Sequence, residues 1–359
     1  MTSATTSSAP ASDAPRAGTD TDFVESMLDR YSAIARTQME RWLPDGEPSE
    51  PLWDLVRDYP SRSGKGIRPA LLMATCEAFG GTIAQSVGPA TALELLHNAF
   101  LVHDDVEDGS RLRRGEPTLH ERHGMPLAVN AGDALALVAL LPLREHREIG
   151  SRLQRRVVDE FVRMGRLTVE GQAVELRWRD TDARHLVPED YLELIWRKTC
   201  WYTTICPLRV GAIIGTRDRA PLRELNRLGF HLGVAFQIRD DLLNLVDWNE
   251  RFGKARLDDL REGKRTLMLI HLVGRVEGAD AAFVESFLRL APDDRDDEAL
   301  ERLLELMVVH GSIAFAEDYA RGIADAALDA YDAAFAGASS GDASRFVRGL
   351  VPYMLERRH

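Results

Sequence analysis

The chain has 359 residues, 45% hydrophobic and 28% charged, with 45 Lys and Arg against 57 Asp and Glu for a net charge of -12. That is enough apolar material for a large core in one or two domains, in a composition typical of soluble proteins. No block of Lys and Arg forms a nucleic-acid footprint, while acidic residues that bind metal ions can still serve an anionic substrate.

Residues 1–21 lack the basic start and apolar run of a signal peptide, and their Ser, Thr, Ala and Pro content predicts a disordered tail. A single folded domain is expected over 22–359. Phe23, Met27, Tyr31, Ile34 and Ala35 fall near one helical face. Pro51, Pro60 and the pair Gly64 and Gly66 then punctuate the chain. Helices are predicted over 68–79, 91–108, 127–143, 151–176, 189–214, 221–246 and 298–335. A Gly/Ser-rich loop at 336–342 precedes a last short helix. There is no sustained period-2 run and no Gly-rich strand-to-helix turn, so the expected fold is an all-α bundle. Cys76, Cys200 and Cys206 lack metal-site spacing and read as core or pocket thiols. No run of about 18 uninterrupted apolar residues occurs, so no membrane span and a cytoplasmic protein are expected.

Two acidic motifs carry the chemistry. Asp104-Asp105-Val106-Glu107-Asp108 ends a largely apolar helix, and Asp104 and Asp108, four apart, project from one face. Asp240-Asp241-Leu242-Leu243-Asn244 repeats the spacing at the end of a second apolar helix. Carboxylates beside apolar surface need compensating cations, and oxygen donors of this kind suit magnesium, with phosphate oxygens and waters completing its shell. One such motif on a charged surface helix would mean little. Two facing each other form an acidic rim around a greasy cavity. Basic residues supply the other half: Lys65, Arg68, Arg113, Arg114, Lys198, Lys254 and Lys264. Arg offers a planar fork to phosphate and Lys a mobile point charge, so the set reads as two diphosphate sites, one held through metal and one held directly.

The segments GKGIRP (64–69), ELLHNAFLVHDDVEDGSRLRRGEPT (94–118) and QIRDDLLNLVDWNERFGKARLDDLREGKRT (237–266), with Gly171-Gln172 and Lys198-Thr199, resemble the trans-isoprenyl diphosphate synthases. The resemblance covers roughly residues 22–334. It implies an isoprenoid synthase helical bundle around a deep central hydrophobic cavity, usually paired as a homodimer. It also implies head-to-tail joining of isopentenyl diphosphate to an allylic diphosphate (dimethylallyl, geranyl or farnesyl). Three magnesium ions with the bound diphosphate would be held by Asp104, Asp105, Asp108, Asp240 and Asp241, with Asn244 in the last place of the second motif. By the same resemblance Arg113, Lys198 and Lys254 hold the allylic diphosphate, and Lys264 is a further substrate-binding residue. Lys65, Arg68, His97 and Arg114 hold isopentenyl diphosphate. Thr199 and Gln237 place the reacting carbons and the ionising oxygen. Glu175 stands where the family commonly has Asp.

Ionisation needs charge neutralisation at the departing diphosphate and a dry wall around the cation, for which Phe100, Trp201 and Phe236 are the aromatic candidates. His103, Trp178 and Trp196 read as packing residues, and Arg357 and Arg358 as a solvated basic end. A class I terpene cyclase, an inert partner subunit and a helical scaffold are the competing readings. A cyclase needs no isopentenyl site, and Asn244 keeps an oxygen ligand while removing one charge. Residues five and four before Asp104, Ala99 and Phe100, lie about one helical turn away and bear on chain length. Small Ala99 leaves room and Phe100 would act as a floor. The second motif and GQAVELRWRD most resemble geranylgeranyl diphosphate synthases, with farnesyl diphosphate as the alternative product.

Overall fold

The computed structural model describes residues 17–62, 64–180, 184–246 and 257–356. In chain order it runs α1 (Ala17–Trp42), a π-helical turn (Ser49–Trp53), α2 (Asp54–Ser61), α3 (Ile67–Ala78) and α4 (Ile83–Asp108). A two-residue antiparallel hairpin, β1 (Leu112–Arg113) and β2 (Glu116–Pro117), leads to α5 (Leu119–His123), α6 (Met125–Val138), α7 (Leu140–Glu145) and α8 (Gly150–Asp180). Next come α9 (Pro188–Ile195), a π-helix (Trp196–Ile205), α10 (Cys206–Gly215) and α11 (Leu222–Val246). The chain closes with α12 (Asp258–Glu262), α13 (Leu267–Val273), α14 (Gly278–Leu288), α15 (Asp297–Val309), α16 (Ser312–Ala334) and α17 (Asp342–Glu356).

The bundle is built around helices buried on most of their circumference. α4 starts with a capping box in which Thr82 and Gln85 satisfy each other's backbone N–H groups, and it stops at Gly109 in the left-handed region, φ 67°. Between those ends Ala90, Ala92, Leu93, Leu95 and Ala99 are all buried. α11 packs on α16 and on the π-helix, and α10 packs on α3. The closest approaches use glycine. A Cβ on Gly211 of α10 would meet the Leu72 carbonyl oxygen and lie 2.8 Å from Thr75 Cβ and 2.9 Å from the Cys76 amide nitrogen. One on Gly171 of α8 would lie 2.5 Å from the Lys198 amide nitrogen, so α8 runs directly against the π-helix.

Several expectations change. α1 begins at Ala17, inside the segment read as a tail. The helix predicted over 189–214 is three pieces, because the middle turns widen to π geometry. The helix predicted over 298–335 breaks at Gly311, whose φ of 71° ends α15 and turns the chain into α16. α2, α5, α12, α13 and α14 were not anticipated, being too short for helical periodicity to mark them. Met125–Glu145 is, by length and composition alone, apolar enough to cross a membrane, at mean hydropathy 1.6. One face of it packs on α4, and Leu137 (67%) and Leu140 (54%) stay exposed.

Gly211→Ala forces a methyl group into backbone of α3 that cannot move alone. It is expected to lower stability by about 1–3 kcal/mol in urea unfolding, the usual cost of overpacking. An unchanged midpoint would show that α3 and α10 slide freely.

Candidate active site

A cavity of about 640 Å³ opens among α3, α4, α8, α9, the π-helix and α11. Its apolar wall includes Phe100, Leu101, Leu194, Ile195, Tyr202 and Phe236. Its mouth is polar. Asp104 faces it from α4, and Asp240, Asp241 and Asn244 from α11. The two acidic helix ends thus meet across one space.

The first motif divides by direction. Asp104 lies on the cavity wall, 3.3 Å from Lys198 Nζ and 3.5 Å from Arg113 Nη2. Asp105 is fully buried and turned away from the cavity, where it accepts hydrogen bonds from Tyr59 Oη and, at 2.8 Å, from Arg113 Nε. Burial pushes its carboxyl up while Arg113 draws it down, and the balance lies above the usual range. Asp108 also misses the wall, although it is four residues from Asp104. Arg179 Nη1 of α8 holds its Oδ1 at 2.6 Å, and Lys264 Nζ stands 3.5 Å from Oδ2. In this arrangement, therefore, only Asp104 of the three expected ligands lines the cavity.

The second motif is wired differently. Asp240 is exposed at the mouth. Asp241 is buried and accepts from Tyr191 Oη and from Gln237 Nε2, both at 2.8 Å. Thr199 Oγ1 donates to Gln237 Oε1 at 2.9 Å, so one hydrogen-bonded chain fixes the amide between a hydroxyl and a carboxyl. Burial, together with the nearby carboxylate of Asp259, pushes Asp241 up to about 8. Asn244 Oδ1 accepts from the Asp259 backbone N–H at 3.2 Å, securing the start of α12.

The basic residues sort themselves. Arg68 donates to His97 Nε2 at 3.2 Å and to Thr203 Oγ1 at 3.0 Å, and its guanidinium lies 4.5 Å over the Tyr202 ring. Because Arg68 can only donate, His97 accepts at Nε2 and carries its proton on Nδ1. Burial and the charges of Arg68 and Arg114 keep that imidazole neutral. Arg114, at φ 56°, donates to the Arg62 carbonyl at 2.7 Å and leans on Gly64. Lys65 lies on the same wall, its carbonyl held by Ser32 Oγ at 2.7 Å and its Nζ 5.6 Å over the Tyr353 ring. Glu94 is buried between Arg68 and Arg114, and burial raises its carboxyl. Lys198 pairs with Glu175 as well as Asp104, and these carboxylates outweigh burial to keep it charged. Lys264 sits among Glu262 at 2.9 Å, Asp259 at 3.1 Å and Asp108. Lys254, Arg357 and Arg358 lie outside the described residues.

Other expectations are corrected or extended. Trp201 is not on the wall; it is buried between Arg163 and Arg209, and the neighbouring Tyr202 lines the cavity instead. The wider π turn hides this from 3.6-residue periodicity. Ala99 packs into a second core cluster with α2 and α6, so only Phe100 of the chain-length pair reaches the cavity. Tyr59, Glu94, Arg179, Tyr191 and Asp259 were missed. The Asp258-Asp259 pair was visible inside the quoted 237–266 segment, whereas nothing local marks Tyr191 or Tyr59.

Among the described residues no three His, Cys, Asp or Glu side chains are already gathered as a metal site. The donor chemistry nevertheless fits a hard divalent cation. Asp104, Asp240 and Asp241 offer carboxylate oxygens to one space, and the buried Asp108 Oδ2 has no hydrogen-bond donor among the described residues.

The polyprenyl synthetase family model matches residues 50–307. The chain is 31% identical over 339 residues to the short chain isoprenyl diphosphate synthase of Methanothermobacter thermautotrophicus, spanning 94% of this chain and 99% of that one. It is 31% identical over 267 residues to the geranylgeranyl diphosphate synthase of Saccharolobus solfataricus, 74% and 79% of the two chains. Farnesyl diphosphate synthase of Geobacillus stearothermophilus is 32% identical over 292 residues, 79% and 97%. Among solved structures, a polyprenyl synthase of Caulobacter crescentus complexed with calcium and isoprenyl diphosphate superposes with a TM-score of 0.83 at 27% identity, over 94% of this chain and 98% of that one.

A carboxyl raised from its usual 3.8 to about 8 takes up a proton on folding. That contribution is fully present below the unfolded value and is lost as pH rises through the folded one. Asp241→Asn has no such loss. In metal-free protein the variant's melting temperature is therefore expected to gain on wild type between about pH 4 and pH 8, and to stop gaining in stronger acid. A gap independent of pH would contradict a buried, protonated Asp241.

Proposed function

The chain belongs to the polyprenyl synthetase family and is a trans-prenyl diphosphate synthase, and we propose that it builds geranylgeranyl diphosphate with magnesium at its two acidic motifs. The observation that carries the site reading is the division of one cavity: carboxylates of α4 and α11 at one side, and Lys65, Arg68 and Arg114 with neutral His97 at the other. Two diphosphates need both sides. A cyclase needs only the first, and a scaffold needs neither. A similar polyprenyl synthase of Caulobacter crescentus is complexed with calcium and isoprenyl diphosphate, which supports a hard divalent ion together with a diphosphate substrate.

The chain's own groups then account for the reaction. Asp104, Asp240 and Asp241 would hold magnesium, with Asp108 joining once freed from Arg179, and the ions would neutralise charge gathering on the leaving diphosphate. Lys198 and Lys264 hold diphosphate oxygens directly, whereas Arg113, committed to Asp105, acts mainly by keeping that helix end in place. Arg68 and Arg114 fix the diphosphate of isopentenyl diphosphate, and His97 adds its Nδ1 proton. The allylic C1–O bond breaks with its electron pair leaving on diphosphate. The isopentenyl double bond attacks C1, and the proton lost from the new cation goes to the released diphosphate. Thr199 and Gln237 orient the ionising end. Phe100, Tyr202 and Phe236 keep water away from the cation.

Phe100 is the chain-length residue in this reading, because Ala99 faces another core. The ring of Phe100 meets Tyr202 edge-on at 6.0 Å. Relatives named as geranylgeranyl synthases favour twenty carbons, and the Geobacillus enzyme makes fifteen the alternative. Apolar faces left open on α8 (Val158, Val162 and Val169, with unobstructed Gly165 between them) and on α6 and α7 support a homodimer, since monomers rarely expose such a stripe.

Chromatography of products made from geranyl or farnesyl diphosphate with excess isopentenyl diphosphate tests the reaction. Wild type is expected to stop at twenty carbons, Phe100→Ala to go further, and Asp104→Ala or Asp240→Ala to turn over about a hundredfold more slowly with helix content unchanged. Normal turnover in either Asp variant defeats the metal reading, a farnesyl-only product defeats the length, and an unchanged Phe100→Ala profile defeats the floor. Light scattering is expected to give twice the chain mass for wild type and a monomer for Val162→Glu combined with Val169→Glu. A monomeric wild type overturns the dimer.

A further inference from the structure

Arg179 holds Asp108, yet the reaction as described gives it no substrate and no metal to bind. It ends α8, its side chain is 12% exposed, and it does not line the cavity. Its guanidinium bridges two carboxylates, Asp108 at 2.6 Å and Glu175, one helical turn back, at 3.3 Å. Glu175 is at the same time in contact with Lys198, which in turn reaches Asp104. The contacts form one line: Asp104, Lys198, Glu175, Arg179, Asp108. Both ends are carboxylates of the first acidic motif, and only one of them, Asp104, faces the cavity. Asp108 has 0% side-chain exposure, and among the described residues its Oδ2 has no hydrogen-bond donor.

We propose that Arg179 is a positioning residue that withholds Asp108 from the cavity until a diphosphate draws Lys198 away from Glu175. This rests on the reading that the acidic motifs hold a divalent ion. The physical reason is charge conservation in a dry place. Arg179 cannot leave Asp108 unless another carboxylate takes it, because an uncompensated buried guanidinium is costly. Glu175 is that carboxylate, four residues back on the same helix, but Lys198 already occupies it. A diphosphate on Lys198 frees Glu175, Glu175 takes Arg179, and Asp108 becomes free to turn toward a metal. Lys264, already beside Asp108, Asp259 and Glu262, bridges the change. Metal and diphosphate then strengthen each other's binding by the same factor, as linkage requires. The device delays assembly of the metal cluster until there is a diphosphate to ionise.

Manganese titration followed by the resonance of the free ion, with and without inorganic diphosphate, reads this directly and needs no turnover. Wild type is expected to bind manganese weakly alone and about tenfold or more tightly with diphosphate present. Arg179→Gln is expected to bind it about tenfold more tightly than wild type without diphosphate and to gain much less on its addition, and Arg179→Lys to stay close to wild type. Glu175→Gln removes the one carboxylate besides Asp108 that contacts Arg179, leaving only the longer-range charge of Glu262, so its metal affinity stays weak with diphosphate present; this variant tests the relay even if Arg179→Gln does not fold. Wild-type affinity and wild-type gain in Arg179→Gln, or a full gain in Glu175→Gln, overturns the inference while leaving the metal reading intact. Failure of wild type to bind manganese even with diphosphate overturns both.

Discussion

Carboxylates buried at a helix end repel each other and shed their hydration, so they survive only where cations stand within a few ångströms. The architecture around the mouth of the cavity follows from that demand. α4 and α11 bring their acids together, and the surrounding elements answer with charge: Arg113 from the hairpin, Arg179 from α8, Lys198 from the π-helix and Lys264 after α12. The hairpin is only two residues a side, yet it places Arg113 against Asp105, while Arg62 ties it to α2 by donating to the carbonyls of Arg113 and Pro117. Even the tyrosines conform. Tyr59 and Tyr191 each give a hydroxyl to the inner carboxylate of one motif, anchoring Asp105 away from the cavity and Asp241 at its wall.

Much of this was legible in the residues. The bundle follows from long apolar helices without strand patterning, and the facing of the two motifs follows from their position at helix ends. Residue direction was less legible. Four-residue spacing puts Asp104 and Asp108 on one face of a straight helix, but it does not say that Arg179, more than seventy residues later, will pull Asp108 sideways. Nor does it say that Trp201 and Tyr202 exchange places where the helix widens, or that Ala99 turns to a second core. In each case the deciding partner is distant in sequence, and periodicity carries no information about it. The resemblance supplied Lys65, Arg68, His97 and Arg114 as a group; their packing shows how the group is held, with Tyr202 beneath Arg68 and Glu94 between the arginines.

The neutrality of His97 limits how much positive charge gathers on one wall of the cavity. Lys65, Arg68 and Arg114 converge with Glu94 as a nearby acid. A fourth cation there would raise the cost of the empty cavity. Arg68 instead uses the imidazole as an acceptor, and the second ring nitrogen keeps a proton to donate.

The Tyr202 ring has a cation on its face and a hydrocarbon wall at its edge: Arg68 lies 4.5 Å from its centre, and Phe100 meets it at 6.0 Å. One side chain thus serves as furniture for both rooms. Under the roles proposed above, a lineage or an engineer who remodels the cavity through Phe100 would also loosen the seat of Arg68, the arginine proposed to grip the five-carbon unit. Longer products and tight grip on the building block would then be competing traits. Variation in product size on this framework should then arrive with compensating changes around the π-helix, as a correlated suite of substitutions rather than as single steps.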